Sequence, residues 1–200
     1  IAGKAAGLPI YKLLGGKVRD RVRVYNGAIR FQLADQSPEA YAENMARMMA
    51  SPEGFSIIKQ GIAFHSHMAD RVPDFFYGDP HPIRWHANRG LLTERGLKHV
   101  VACVAAMKEV MGDKVGLALD CGPGWTLPDA IRLAEAVAPY NVMWLEDLLT
   151  GDYTPYVNPQ LYRDLTTRST TPIHTGEQIY LRQNYKDLIE MQAVNIIGPD

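Results

Sequence analysis

Val115-Gly-Leu-Ala-Leu-Asp120, Thr126-Leu-Pro-Asp129 and Val142-Met-Trp-Leu-Glu146 fall within one run of 32 residues, from 115 to 146. The first piece is a short, continuously apolar strand that ends on an acid. The second is a capped helix start: the Thr126 hydroxyl can satisfy free amides, and Asp129 favours the positive end of a helix. Leu127, Ala130, Ile131, Ala134, Val137 and Ala138 then recur at helical spacing. The third piece is another apolar strand, again closed by an acid. A strand buried on both faces, an amphipathic helix and a second such strand make a parallel βαβ unit.

The same unit repeats outward from this run. Arg21–Tyr25 reads as strand one, and Ser37-Pro38-Glu39 as the cap and first turn of helix one. Phe55–Lys59 is strand two, and residues 62–90 are irregular and rich in Pro, His and aromatics. Helix two spans about Thr93 to Met111, with Val100, Cys103, Val104, Met107 and Met111 as its apolar stripe. After strand four come helix four near Pro159–Thr167, strand five at Pro172–Glu177, helix five at Asn184–Met191 and strand six at Val194–Gly198. The prediction is an α/β fold of about six βα units. A doubly wound sheet and a barrel both suit it. The barrel is favoured because acids end strands three to six in succession, whereas an open sheet concentrates ligand contacts at one switch point. A closed barrel takes about 250 residues, so an incomplete (β/α)8, TIM-like barrel is expected over 21–200. Residues 1–20 read as the tail of a preceding region and a linker. The chain opens without methionine and stops on a strand end, so both ends read as cut.

Composition narrows the function. With 21 basic and 22 acidic residues the net charge is −1, and no basic patch argues for nucleic acid. The longest apolar runs fall far short of the roughly 20 residues that span a bilayer, so no membrane partner is expected. Cys103 and Cys121 lack metal spacing, and a disulfide framework is improbable, which favours a reducing cytoplasm.

Asp120, Glu146, Glu177 and Asp200 each stand where a strand runs out, at intervals of 26, 31 and 23 residues (120 to 146, 146 to 177, 177 to 200). Parallel strands bring these ends together, and carboxylates so gathered repel one another. Three hard oxygen donors suit Mg2+; the plainer alternative is that such acids cap helices or sit in solvated loops. Lys59 also stands at a strand end. Beside a metal it loses its proton more readily and would serve as a base for a carbon acid; equally, it can be a plain ion-pair partner.

Gly3-Lys-Ala-Ala-Gly-Leu-Pro-Ile-Tyr-Lys-Leu-Leu-Gly-Gly-Lys17, with the following Val-Arg-Asp-Arg-Val-Arg-Val-Tyr25, resembles the mandelate racemase and muconate-lactonizing branch of the enolase superfamily. Leu119-Asp120, Trp144-Leu-Glu146-Asp147, Pro172-Ile-His-Thr-Gly-Glu177 and Pro199-Asp200 resemble its strand ends, in order. The resemblance implies that Asp120, Glu146 and Glu177 bind one Mg2+, and that Asp200 is the acid of a His–Asp dyad whose histidine lies beyond strand six. It implies removal of the proton α to a substrate carboxylate, with the metal accepting charge from the enediolate.

Three departures from the pattern stand out. The frequent Lys-x-Lys is Lys59-Gln60-Gly61, Asp-x-Asn or Asp-x-His is Asp120-Cys121-Gly122, and Glu-Glu-Pro is Glu146-Asp147-Leu148, a form also seen among mannonate-dehydratase-like members. The 62–90 loop holds His65, His67, His81, His86, Tyr77, Trp85, Arg71 and Arg84 and is a candidate lid. His65 and Tyr77 are the substrate-binding candidates within it. His174 should alternate away from Glu177 and pack in the core. The expectation is an acid-sugar dehydratase: a sugar acid loses its α-proton and β-hydroxyl to give a 2-keto-3-deoxy acid, with Lys59 on one face and Asp200 on the other. Racemisation or cycloisomerisation on the same metal, and a non-catalytic metal-binding protein, are the alternatives. The full-length protein is expected to form a homo-oligomer, and the isolated 200 residues to be inactive and poorly soluble.

Overall fold

Side-chain caps start the long helices where the sequence places them. In the computed structural model, which describes residues 1–83, 88–149 and 157–199, the Ser37 hydroxyl accepts the Ala40 amide at the head of α1 (Pro38–Met49). Strand β1 (Ile57–Gly61) follows. Thr93 does the same for the Gly96 amide of α2 (Glu94–Met111), which leads to β2 (Gly116–Asp120). Thr126 caps α3 (Leu127–Val137) ahead of β3 (Leu145–Glu146). Asn158 caps α4 (Pro159–Arg168) ahead of β4 (Ile173–Thr175). Each such cap contributes about 1 kcal/mol. A 3-10 turn (Arg182–Tyr185) runs into α5 (Lys186–Glu190), and β5 (Ile196–Ile197) ends the series.

The strands form one five-stranded parallel sheet in sequence order, β1-β2-β3-β4-β5. Its apolar core takes in Val100, Cys103, Val104, Met107 and Met111 of α2, all buried, against Ile58 and Leu117 of the strands. Each fully buried aliphatic side chain there contributes about 1.5–3 kcal/mol. Among the described residues no helix is long and apolar enough to cross a membrane.

Two expectations are corrected. Arg21–Tyr25 is not a strand, so the sheet has five strands rather than six. Val22 and Val24 stay exposed, with relative accessibilities of 71% and 63%, and only Asn26 reaches the sheet, as a single parallel bridge to Ile58. An alternating pattern does not make a strand when no layer covers its apolar face. The 62–90 segment is also less irregular than expected. It holds a 3-10 turn (Ala63–His65), a helical turn (Met68–Arg71) and an antiparallel bridge from Phe76 to Leu92.

Candidate active site

Register assembles the site. In a parallel ladder, paired residues point to the same face, and Gly61, Asp120, Glu146 and His174 are linked as partners across β1 to β4. Lys59 lies two residues before Gly61 and therefore on that same face. The layout puts a lysine and two acids at the carboxyl ends of neighbouring strands, all of them buried.

The Lys59 ammonium stands between the two acids. It donates to Glu146 Oε1 in a short contact and lies 3.2 Å from Asp120 Oδ2. Burial disfavours its charge, but the Asp120 and Glu146 carboxylates outweigh that and hold its pKa above the ordinary lysine range. Lys59 is thus a charged partner here, with a proton to give. Burial likewise raises the Asp120 pKa, and His65 and Lys59 reverse it, so the carboxyl titrates below its usual range. Tyr25 closes this side: Lys59 Nζ is 5.7 Å from its ring centroid, and the ring meets Trp144 edge-on at 5.2 Å.

Glu146 is shared across the site. Its Oε2 accepts from Trp144 Nε1 at 2.8 Å and lies 3.5 Å from His174 Nδ1. Burial keeps His174 below its ordinary pKa. Glu146, Asp147 and Glu177 offer oxygens that all lie within 4.8 Å of one another. Asp147 turns into this group at φ 53, with its Oδ1 accepting the Thr175 hydroxyl at 2.9 Å. The Cys121 thiol, fully buried beside Asp120 and Glu146, has its pKa pushed well above normal by burial and is chemically quiet.

The carboxylates fit a hard divalent cation. Oxygens converge from Glu146, Asp147 and Glu177, and among the described residues only His65 approaches buried Asp120 Oδ1. His65 Nδ1 is 3.0 Å from that oxygen. All the donors are carboxylate oxygens, the set that Mg2+ prefers.

The structure therefore gathers Lys59, His65, Asp120 and Glu146, with Glu177 joined through Glu146 and Asp147. Tyr77 is set apart: it is 69% exposed, and among the described residues no hydrogen bond or ring contact joins it to the cluster. Asp200, His86, Trp85 and Arg84 lie outside the described residues. His174 is a correction. It faces the site because Gly176, at φ 143, breaks the alternation, so Glu177 returns to the side that His174 already occupies. Asp147 and Tyr25 were not expected in the site either. The unusual Glu146-Asp147-Leu148 was the signal available for Asp147.

The chain also resembles known proteins. Residues 40–200 match the family described as Enolase C-terminal domain-like. The chain is 36% identical to D-xylonate dehydratase of Haloferax volcanii, over all of this chain and 43% of that protein. It is 31% identical to the D-galactonate dehydratase family member RspA of Halomonas elongata, over 98% of this chain and 47% of that protein. A mandelate racemase/muconate lactonizing enzyme-like protein from Rubrobacter xylanophilus superposes with a TM-score of 0.72 at 30% identity, covering 100% of this chain and 48% of the other. The chain thus spans under half the length of the relatives it matches. Strand-end acids, a parallel sheet in sequence order and a family match over residues 40–200 converge: the chain belongs to the mandelate racemase and muconate-lactonizing branch of the enolase superfamily, as a partial C-terminal barrel domain similar to that of acid-sugar dehydratases.

Proposed function

We propose that the protein is a Mg2+-dependent acid-sugar dehydratase. It takes a proton from the carbon α to a sugar carboxylate and expels the β-hydroxyl, giving a 2-keto-3-deoxy acid. The observation that carries this reading is the buried cluster of Lys59, Asp120 and Glu146 at adjoining strand ends, continued by Asp147 and Glu177. Asp120, Glu146 and Glu177 would hold the metal, with Asp147 beside them. When bound, a divalent cation there supplies a Lewis acid for the substrate carboxylate and lowers the cost of charge developing on it.

The chain's own residues do the rest. Lys59, in contact with Asp120 and Glu146, orients the substrate's acid group from the β1 side. The family resemblance gives Asp200 the role of the acid of a dyad that would work opposite Lys59. His65, held over Asp120, contacts the substrate's hydroxyls; Tyr77 would have to swing inward to do so. Trp144, buried and bonded to Glu146, excludes water from the floor of the site, and the Tyr25 ring packs against its edge.

The test is turnover of a sugar-acid panel by the full-length protein, assayed for 2-keto acids with and without Mg2+. A protein that binds Mg2+ yet removes water from no member of the panel would sink the dehydratase reading. Exchange of the α-proton in deuterated water, without loss of water, would move the assignment to racemisation.

A further inference from the structure

Beside the carboxylate cluster, at the same end of the sheet, lies a cavity of about 260 Å3. Its wall includes Arg30, Gln36, Asn44, Gln60, His65 and Arg71, and among the described residues no acidic one lines it. Two features tie it to the reaction centre. His65 is common to both, with Nδ1 3.0 Å from Asp120 on one side and its ring in the cavity wall on the other. Arg30 is the second tie. Its Nε donates to the Gly27 carbonyl at 3.1 Å, and a Cβ built at Gly27 would lie 3.5 Å from Lys59 Cε.

The His65 wall is held by shape. A Cβ at Gly61 would lie 2.7 Å from the His65 carbonyl oxygen and 2.9 Å from its Cδ2. One at Gly122, which sits at φ 66, would lie 2.8 Å from the His65 amide nitrogen. Both glycines end or follow site strands, and both are bare because this turn fills their space.

The polar wall groups differ in what they still have to offer. Asn44 Nδ2 donates to Gln60 Oε1 at 2.7 Å, Asn44 Oδ1 accepts the Phe31 amide, and Gln36 Oε1 accepts the Tyr41 hydroxyl. The amides are thus engaged with one another and with the fold. Among the described residues no ion pair engages Arg30 or Arg71. A guanidinium carries five N–H donors in a fork that matches a carboxylate or phosphate. Two of them on one concave, acid-free wall make a local positive field that a neutral ligand leaves uncompensated.

We infer that this cavity is a subsite for a second anionic group, so that the enzyme takes acid sugars charged at both ends: the first carboxylate at the strand-end acids, the second anion between Arg30 and Arg71. The second group is a carboxylate, as in a sugar diacid, or a phosphate ester on the terminal hydroxyl. This inference rests on the acid-sugar reading above and sharpens its substrate class.

The test is calorimetric binding to the full-length protein in Mg2+ buffer. Three ligands of one chain length and stereochemistry are compared: the sugar acid, its diacid and its terminal phosphate ester. At least one doubly charged ligand is expected to bind about tenfold or more tighter than the monoacid, the scale of one charge-assisted hydrogen bond. Whichever ligand leads identifies the second group. In the Arg30→Gln/Arg71→Gln double variant that ratio should fall to within about twofold, while Arg30→Lys/Arg71→Lys should keep part of it. Both arginines are exposed, and an unchanged unfolding midpoint would exclude misfolding. Equal affinities for all three ligands in the wild type, or an advantage that survives the glutamine variant, overturns the inference. The wild-type ratio decides alone if the variant does not fold. Binding without loss of water, by contrast, fails the dehydratase reading and leaves the subsite standing.

Discussion

The two sides of the site answer the same electrostatic problem differently. On the β1–β2 side a cation is built in: the Lys59 ammonium sits among Asp120, Glu146 and the Tyr25 ring. On the β3–β4 side three acids, Glu146, Asp147 and Glu177, bring oxygens within 4.8 Å of one another. The first side pairs its acids with a lysine, whereas the second gathers three acids around one point. Glu146 belongs to both and couples them.

The sharpest way to break this contrast is to remove the built-in cation. Lys59→Met leaves two buried carboxylates unpaired and should lower metal-free stability by about 3–5 kcal/mol, read by urea unfolding. Adding Mg2+ at about 100 times its Kd should return about 2.7 kcal/mol. A variant as stable as wild type without metal would mean that Lys59 does not hold this side together. Next in size, Glu146→Gln cuts the coupling itself, and turnover of the full-length protein should fall by at least about 100-fold. If activity survives that change, Glu146 is no ligand.

A smaller effect separates the glycines. Gly54→Ala, at φ 63 with nothing within 4 Å, should cost about 1–2 kcal/mol of stability for the backbone alone. Gly122→Ala, at φ 66 against the His65 turn, should cost about 1 kcal/mol more, because the turn must also move. Equal costs would mean that the turn yields freely.

The smallest effect is a pH dependence. The depressed Asp120 pKa contributes stability that is present above the unfolded carboxyl value of about 3.9 and lost as pH falls through the folded value. The raised Lys59 pKa contributes stability that is present below about 10.4 and lost as pH rises through its folded value. The difference in unfolding free energy between wild type and Lys59→Met should therefore shrink at both extremes. A difference flat with pH would contradict the ion-pair assignment.

Much of this was legible before any coordinates. Helices α1 to α4 announce themselves because cap and apolar stripe are both local, and the structure begins each within a residue or so of its cap. The acids at 120 and 146 were equally readable, since a strand that ends on a carboxylate points it at the site. What could not be read depends on partners distant in sequence. Arg21–Tyr25 alternates like a strand but finds no covering layer, and β3 and β5 shrink to two residues each because pairing is set by neighbours. His174 was misplaced because alternation was carried past Gly176, where it no longer holds. Asp147 enters the cluster only through a positive φ, which an aspartate does not advertise.

The turn around His65 has a consequence for how such a site can change over generations. Because it fills the volume over both Gly61 and Gly122, no side chain can be gained at either position while the turn stays where it is. A lysine at 61 or a histidine at 122 needs the turn at 65 to shift with it. The three positions form one epistatic unit that crosses two strands. Each single step toward a different proton-transfer set therefore carries the cost of shifting the turn, and an engineer seeking one should exchange the turn and both strand ends together.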